Sequence, residues 1–175
     1  MALGSEVPMA FAYYRRLNKR QKRVYDRSDE VSAIRLPNPV AMRSLVHHLH
    51  SALGSSDRRE VEKTSRALLD ALCADLGLPR VRVEVRSRRP LDDESELHGL
   101  YTLASGRRLA YMEVWMRTAQ RRQVVAFRTF LRTLLHELVH HIDVELLGLP
   151  DSYHTEGFYK RESSLFRQLI AGTGL

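Results

Sequence analysis

From Phe127 onward, apolar residues recur on one arc of a helical wheel: Phe127, Leu131, Leu134, Leu135, Leu138, Val139 and Ile142. That 3.6-residue period predicts a helix with one buried face, running to about Leu147 and stopping at Gly148-Leu149-Pro150. A second stripe, Phe158, Leu165, Phe166 and Leu169, predicts a final helix. Upstream, Met42, Leu45, Val46, Leu49 and Leu53 mark a helix, with Asn38-Pro39 as cap and first position and Gly54 as stop. Val61, Leu68, Leu69, Leu72 and Leu76 mark the next, with Asp57 and Glu60 as a capping-box pair and Gly77 and Pro79 closing it. The period then changes to two. Val81, Val83 and Val85 alternate with Arg82, Glu84 and Arg86, a strand with one buried face. After a polar connection at 88–96, residues 98–104 and 107–116 form two more strands, joined by a two-residue hairpin turn at Ser105-Gly106. In the last of these, Ala110, Met112, Val114 and Met116 face the core, with Leu109, Tyr111, Glu113 and Trp115 on the other side. Helices, a small antiparallel sheet, a long helix, a loop and a final helix make an α+β fold.

Composition fits this picture. With 175 residues, 43% apolar and 28% charged, the chain can bury a core in one main domain over 38–175. Residues 1–37 are set apart as a basic, partly helical N-terminal segment. No stretch approaches a membrane span, and the start, Met-Ala-Leu-Gly-Ser-Glu-Val-Pro, lacks the basic-then-apolar pattern of a secretory signal. The lone Cys73 excludes an internal disulfide framework and lies near an apolar stripe, as buried filler. A reducing cytoplasm is the expected setting.

Charge adds a candidate partner. The net charge is +7, and the run from Tyr13 to Tyr25 combines Arg15, Arg16, Lys19, Arg20, Lys22 and Arg23 with three tyrosines. Such a segment can neutralise phosphates and stack bases, so nucleic acid is a candidate partner beside the commoner reading of a solvated basic helix. Arg117, Arg121 and Arg122 form a second cluster. His47, His48 and His50 suggest surface imidazoles, because adjacent helical residues point in different directions.

The chemistry lies on the polar side of the long helix, where His136-Glu137-Leu138-Val139-His140 spells H-E-x-x-H. Two histidines four apart stand only about 40° around the helix axis, so their imidazoles can converge on one zinc ion. Glu137, within about 100° of both, stands beside the metal without having to bind it, which suits a base that takes a proton from a metal-activated water. A metzincin continuation is excluded, since Asp143 and Leu146 occupy its glycine and histidine positions. The loop after Pro150 can return His154 as a third nitrogen ligand, with Glu156 and Glu162 as competing carboxylates. Glu162 sits inside an apolar stripe, where a lone carboxylate needs a partner, and a ligand histidine is the natural one. Asp143, a turn beyond His140, either orients a ligand or is a surface acid. Tyr153, Tyr159 and His141 are candidate donors to an oxyanion.

His136-Glu137-x-x-His140, the short loop, and His154-Thr-Glu-Gly-Phe158-Tyr-Lys-Arg161 together resemble the SprT-like zinc metallopeptidases and related minigluzincins. Their pattern is H-E-x-x-H, then H-x-x-x-F/W with a basic residue close behind. The resemblance covers about residues 80–172. It implies a zincin-like core, His136, His140 and His154 as zinc ligands, Glu137 as catalytic base, and peptide-bond hydrolysis, with a peptide or protein as substrate. In such folds the strand nearest the active helix binds peptide as an added strand, so 107–116 is either that strand or an ordinary amphipathic strand covered by the N-terminal helices. Thr155 stands where glycine is frequent in the family, and no cysteine ribbon is present. The competing expectation is a basic, nucleic-acid-associated protein with a structural, non-hydrolytic zinc site.

Overall fold

The computed structural model describes residues 11–87, 99–118 and 123–175. A 3₁₀ turn, Ala12–Arg16, leads into helix α1 (Lys19–Asp29). Asn18 caps α1 reciprocally: its side chain accepts from Gln21 N, and the Gln21 side chain accepts from Asn18 N, both at 2.9 Å. A second 3₁₀ turn, Pro39–Met42, precedes the antiparallel-packed α2 (Arg43–Ser55) and α3 (Arg58–Leu76). Pro39 thus opens a 3₁₀ turn rather than an α-helix, and Asn38 turns its amide to Asp75 at 2.9 Å instead of capping. The stop of α2 is Ser56, in the left-handed region at φ 58°, and not Gly54. Asp57 caps α3, accepting from Arg59 N at 2.8 Å, but the Glu60 carboxylate pairs with Lys63 instead of closing the expected capping box; Gly77 ends the helix at φ 66°.

The strands are β1 (Val81–Arg86), β2 (Gly99–Thr102) and β3 (Ala110–Trp115), in spatial order β1-β3-β2. The antiparallel sheet expected from the sequence is in fact mixed. β2 and β3 pair antiparallel, Gly99 opposite Val114, whereas β1 pairs parallel to β3, Val81 opposite Ala110. The chain between Arg86 and Ala110, which includes β2, is the long crossover that parallel pairing requires. Alternation specifies which face of a strand is buried and says nothing of its neighbour's direction. The hairpin turn is displaced by one residue, because Ser105 and Arg108 exchange both backbone hydrogen bonds and leave Gly106-Arg107 as its tip, with Gly106 at φ 58°. β3 is therefore central, both of its edges are occupied, and it cannot take an added peptide strand; β1 and β2 are the edge strands among the described residues, and β2 is the one beside the cleft. The expected polar connection, residues 88–96, lies outside the described residues, as do Arg121 and Arg122.

Val81, Val83, Val85, Ala110, Met112 and Val114 form one buried face, against which α3, α4 (Phe127–Glu145) and α5 (Glu156–Ile170) contribute to a single core. The opposite face carries a polar ladder in which Tyr111 donates to Glu84 at 2.7 Å and Arg86 donates to Glu113 at 3.3 Å. Trp115, on that outer side, is nevertheless buried. Cys73 is buried too, and burial pushes its thiol up to about 11, as inert filler requires. In the described part of the segment set apart as 1–37, Tyr25 and Ser28 are buried in α1, and Ile34 and Leu36 beyond it join the core. Among the described residues no helix is long and apolar enough to cross a membrane.

Candidate metal centre

The buried arc of α4 forces its other face outward. Phe130, Leu131, Leu134, Leu135, Leu138, Val139 and Ile142 are buried, which leaves His136 and His140 half-buried above the core. Leaving α4, the chain turns at Gly148 (φ 60°), anchors Leu149 N on Asp143 O at 2.9 Å, and returns His154 over the helix. Thr155 then starts α5, its hydroxyl accepting from Phe158 N at 3.0 Å. Thr155 is thus the N-cap of the last helix.

Nε2 of His154 lies 3.0 Å from Nε2 of His136 and 3.1 Å from Nε2 of His140. All three ligand nitrogens lie within 4.8 Å of one another. Metal–nitrogen bonds of about 2.0–2.1 Å in tetrahedral array imply nitrogens about 3.3 Å apart. The Phe158 ring floors the group, its centroid 4.8, 4.7 and 5.0 Å from those of His136, His140 and His154.

The far ring nitrogens decide the tautomers. Ser152 Oγ donates to Asp143 Oδ2 at 2.8 Å, so it accepts from His140 Nδ1–H, also at 2.8 Å. His136 Nδ1–H donates to Glu162 Oε2 at 3.2 Å. Both Nε2 atoms therefore present lone pairs to His154 and to each other, an arrangement that asks for a cation between them. Burial, with the two neighbouring imidazoles adding to it, drives His140 down to about 3. Burial and then His136 also lower His154, against an opposing pull from Glu162. Neutral imidazoles are what a metal needs, so the three residues can hold a metal ion.

Behind Ser152 stands a fully buried ion pair. Arg161 and Asp143 are both 0% exposed, and Arg161 Nη2 lies 2.8 Å from Oδ1 and donates to Oδ2 at 3.0 Å. Burial raises the Asp143 carboxyl, opposed by the Arg161 guanidinium and by the Ser152 hydroxyl. Arg161 also donates to Ser28 O and Val31 O, each at 2.6 Å. Asp143 is thus an orienting group rather than a surface acid. Tyr13 donates to His154 O at 3.0 Å, and Asp29 accepts from Gly157 N at 2.7 Å, so the loop carrying His154 is pinned by α1 and the turn before it.

Glu137 is 4% exposed, and burial pushes its carboxyl up to about 7 against a weaker opposing pull from His136. Gly99 of β2 lies directly over it: a Cβ there would come 2.7 Å from Glu137 Cγ. The cleft outside the histidines is about 700 Å³ and is lined by Leu100 and Leu103 of the β2 side, Arg132 and Val144 of α4, and Tyr159 of α5.

The structure brings together His136, Glu137, His140 and His154, with Glu162 behind His136 as its hydrogen-bond partner and not as a third ligand. Glu156 is outside the cluster, paired with Lys160 at 2.6 Å. Of the oxyanion candidates, His141 points away, bonded to Tyr101 Oη and Pro79 O at 2.9 Å each, and Tyr153 joins an aromatic group with Tyr13 and Tyr25. Tyr159 lines the cleft. Sequence reasoning missed Ser152, Gly99 and Tyr13. A glycine at the start of a predicted strand was the available signal, since it marks close approach of another group. No protein-family model matches the chain, and neither a curated protein nor a solved structure does.

Proposed function

We propose that the chain is a zinc-dependent metallopeptidase of zincin-like architecture, akin to the SprT-like enzymes, acting in the cytoplasm. His136, His140 and His154 are the zinc ligands and Glu137 is the general base. The observation that carries this reading is the convergence of three imidazole nitrogens, with lone pairs directed inward, beside a buried carboxyl on an open cleft. Structural zinc takes a closed shell of four protein ligands, and among the described residues three are grouped here, which supports catalysis over a structural site.

When bound, zinc lowers the pKa of a coordinated water towards about 7 and polarises a substrate carbonyl. Glu137, buried beside the three imidazoles, would take a proton from such a water and hand it to the departing amide nitrogen. Tyr159, on the cleft wall, donates to the oxyanion. The open edge of β2 holds the peptide backbone by strand addition, which tolerates varied side chains.

Zinc content by elemental analysis, paired with cleavage of unfolded casein, tests the reading on wild type, His136→Ala, His154→Ala and Glu137→Gln. One zinc per chain is expected in wild type and in an inactive Glu137→Gln, and loss of zinc in both histidine variants. A wild type that takes up no zinc on reconstitution would falsify the reading.

Exposed Arg15, Arg16, Lys19, Arg20 and Arg23 on the first turn and on α1 support a substrate held near nucleic acid. Binding to DNA or RNA should then weaken steeply with salt and persist after zinc removal. Salt-insensitive binding, or none, would leave this surface a solvated face.

A further inference from the structure

One face of α4 continues past the histidines towards its N-terminal end. Thr129, Arg132, Thr133 and His136 follow at helical spacing, and all four line the cleft. Arg132 is the one lysine or arginine lining that cleft among the described residues. Its side chain is 45% exposed, while that of Glu162, its partner at 3.2 Å, is 11% exposed. A substrate therefore meets the guanidinium before the carboxylate. Glu162 engages one of five N–H donors. The guanidinium carbon lies 4.1 Å from the Phe166 ring centroid, which holds the planar fork in place. Beyond His140 the cleft lining carries no cation among the described residues: Val144, Pro150, Asp151 and Ser152 stand there.

We infer that Arg132 is a specificity residue that recognises a carboxylate on the substrate, selecting peptides with an acidic side chain on one side of the scissile bond. The inference rests on the peptidase reading and adds a substrate class to it. Arg132 lies one helical turn, about 6 Å, from His136. An extended peptide advances roughly 3.3 Å per residue, so the preferred acid lies about two residues from the cleaved bond. A planar guanidinium suits this task because it binds a carboxylate through two parallel hydrogen bonds.

The test uses zinc-loaded enzyme and fluorogenic peptides in pairs that differ only by Glu or Gln at one position near the scissile bond. Wild type is expected to favour the Glu peptide at one such position by about tenfold or more in kcat/KM. In Arg132→Met that ratio falls to about one, and Arg132→Lys restores part of it. Equal losses on both peptides, with the ratio unchanged, would make Arg132 a mere counter-charge for Glu162 and overturn the inference. So would a wild type that cleaves both peptides equally, and in that case the peptidase reading stands. Zinc-loaded wild type that cleaves neither peptide nor casein overturns both. Should Arg132→Met fail to fold, the wild-type ratio and Arg132→Lys still decide.

Discussion

The two histidines of α4 do the same task by opposite means. His136 meets its carboxylate directly, and that carboxylate, Glu162, is balanced by the half-exposed Arg132. His140 reaches Asp143 through Ser152, and Asp143 is sealed against Arg161 with neither exposed to water. Each arrangement keeps a proton on Nδ1 and a lone pair on Nε2. On the His136 side the orienting group is local, with Glu162 bonded to His136 and Arg132. On the His140 side the orienting group is also a keystone of the fold, because Arg161 ties α5 to α4 and to the end of α1. A ligand can therefore be tuned on one side and hardly at all on the other.

The largest effect should come from Arg161→Met, which strands the Asp143 carboxylate in the core. We expect the metal-free chain to lose about 3–5 kcal/mol in urea denaturation, with partial recovery when Asp143→Asn is added. Comparing metal-free proteins matters, since bound metal raises apparent stability by mass action. Next comes Glu162→Gln, for which zinc affinity should drop about 10- to 100-fold in a chelator competition while metal-free stability changes far less. Comparable destabilisation by the two variants would erase the contrast between the sides. Smallest is Tyr13→Phe, which removes one hydrogen bond to the His154 carbonyl. A loss of about 0.5–1.5 kcal/mol in zinc binding is expected, and an unchanged affinity would show that Asp29 and Thr155 suffice to place the loop.

The parts of the centre legible in the sequence are those governed by helical period. The separation of core and chemistry on α4 follows from residue spacing, and so does the partner of Glu162, because a carboxylate inside an apolar stripe demands one. Ser152 was not legible, for its role depends on where a loop returns. Arg161 was visible as a basic residue behind the motif, but its bonds to Ser28 and Val31 join residues more than a hundred positions apart. Sheet direction escaped for a different reason: Val81, Val83 and Val85 face the core equally well in a parallel or antiparallel ladder. The boundary at 37/38 followed charge, and charge describes the outer side of α1 while Tyr25 and Ser28 occupy its inner side.

The aromatic floor under the histidines has a consequence for traffic. With Phe158 fully buried beneath all three rings, an ion has no passage through the core and must come and go by the cleft. Because His154 is exposed at the mouth, that exchange does not require the protein to unfold. On the proposed reading, a peptide lying along β2 would cover the ion's exit, and the centre would release its metal more slowly when occupied than when empty.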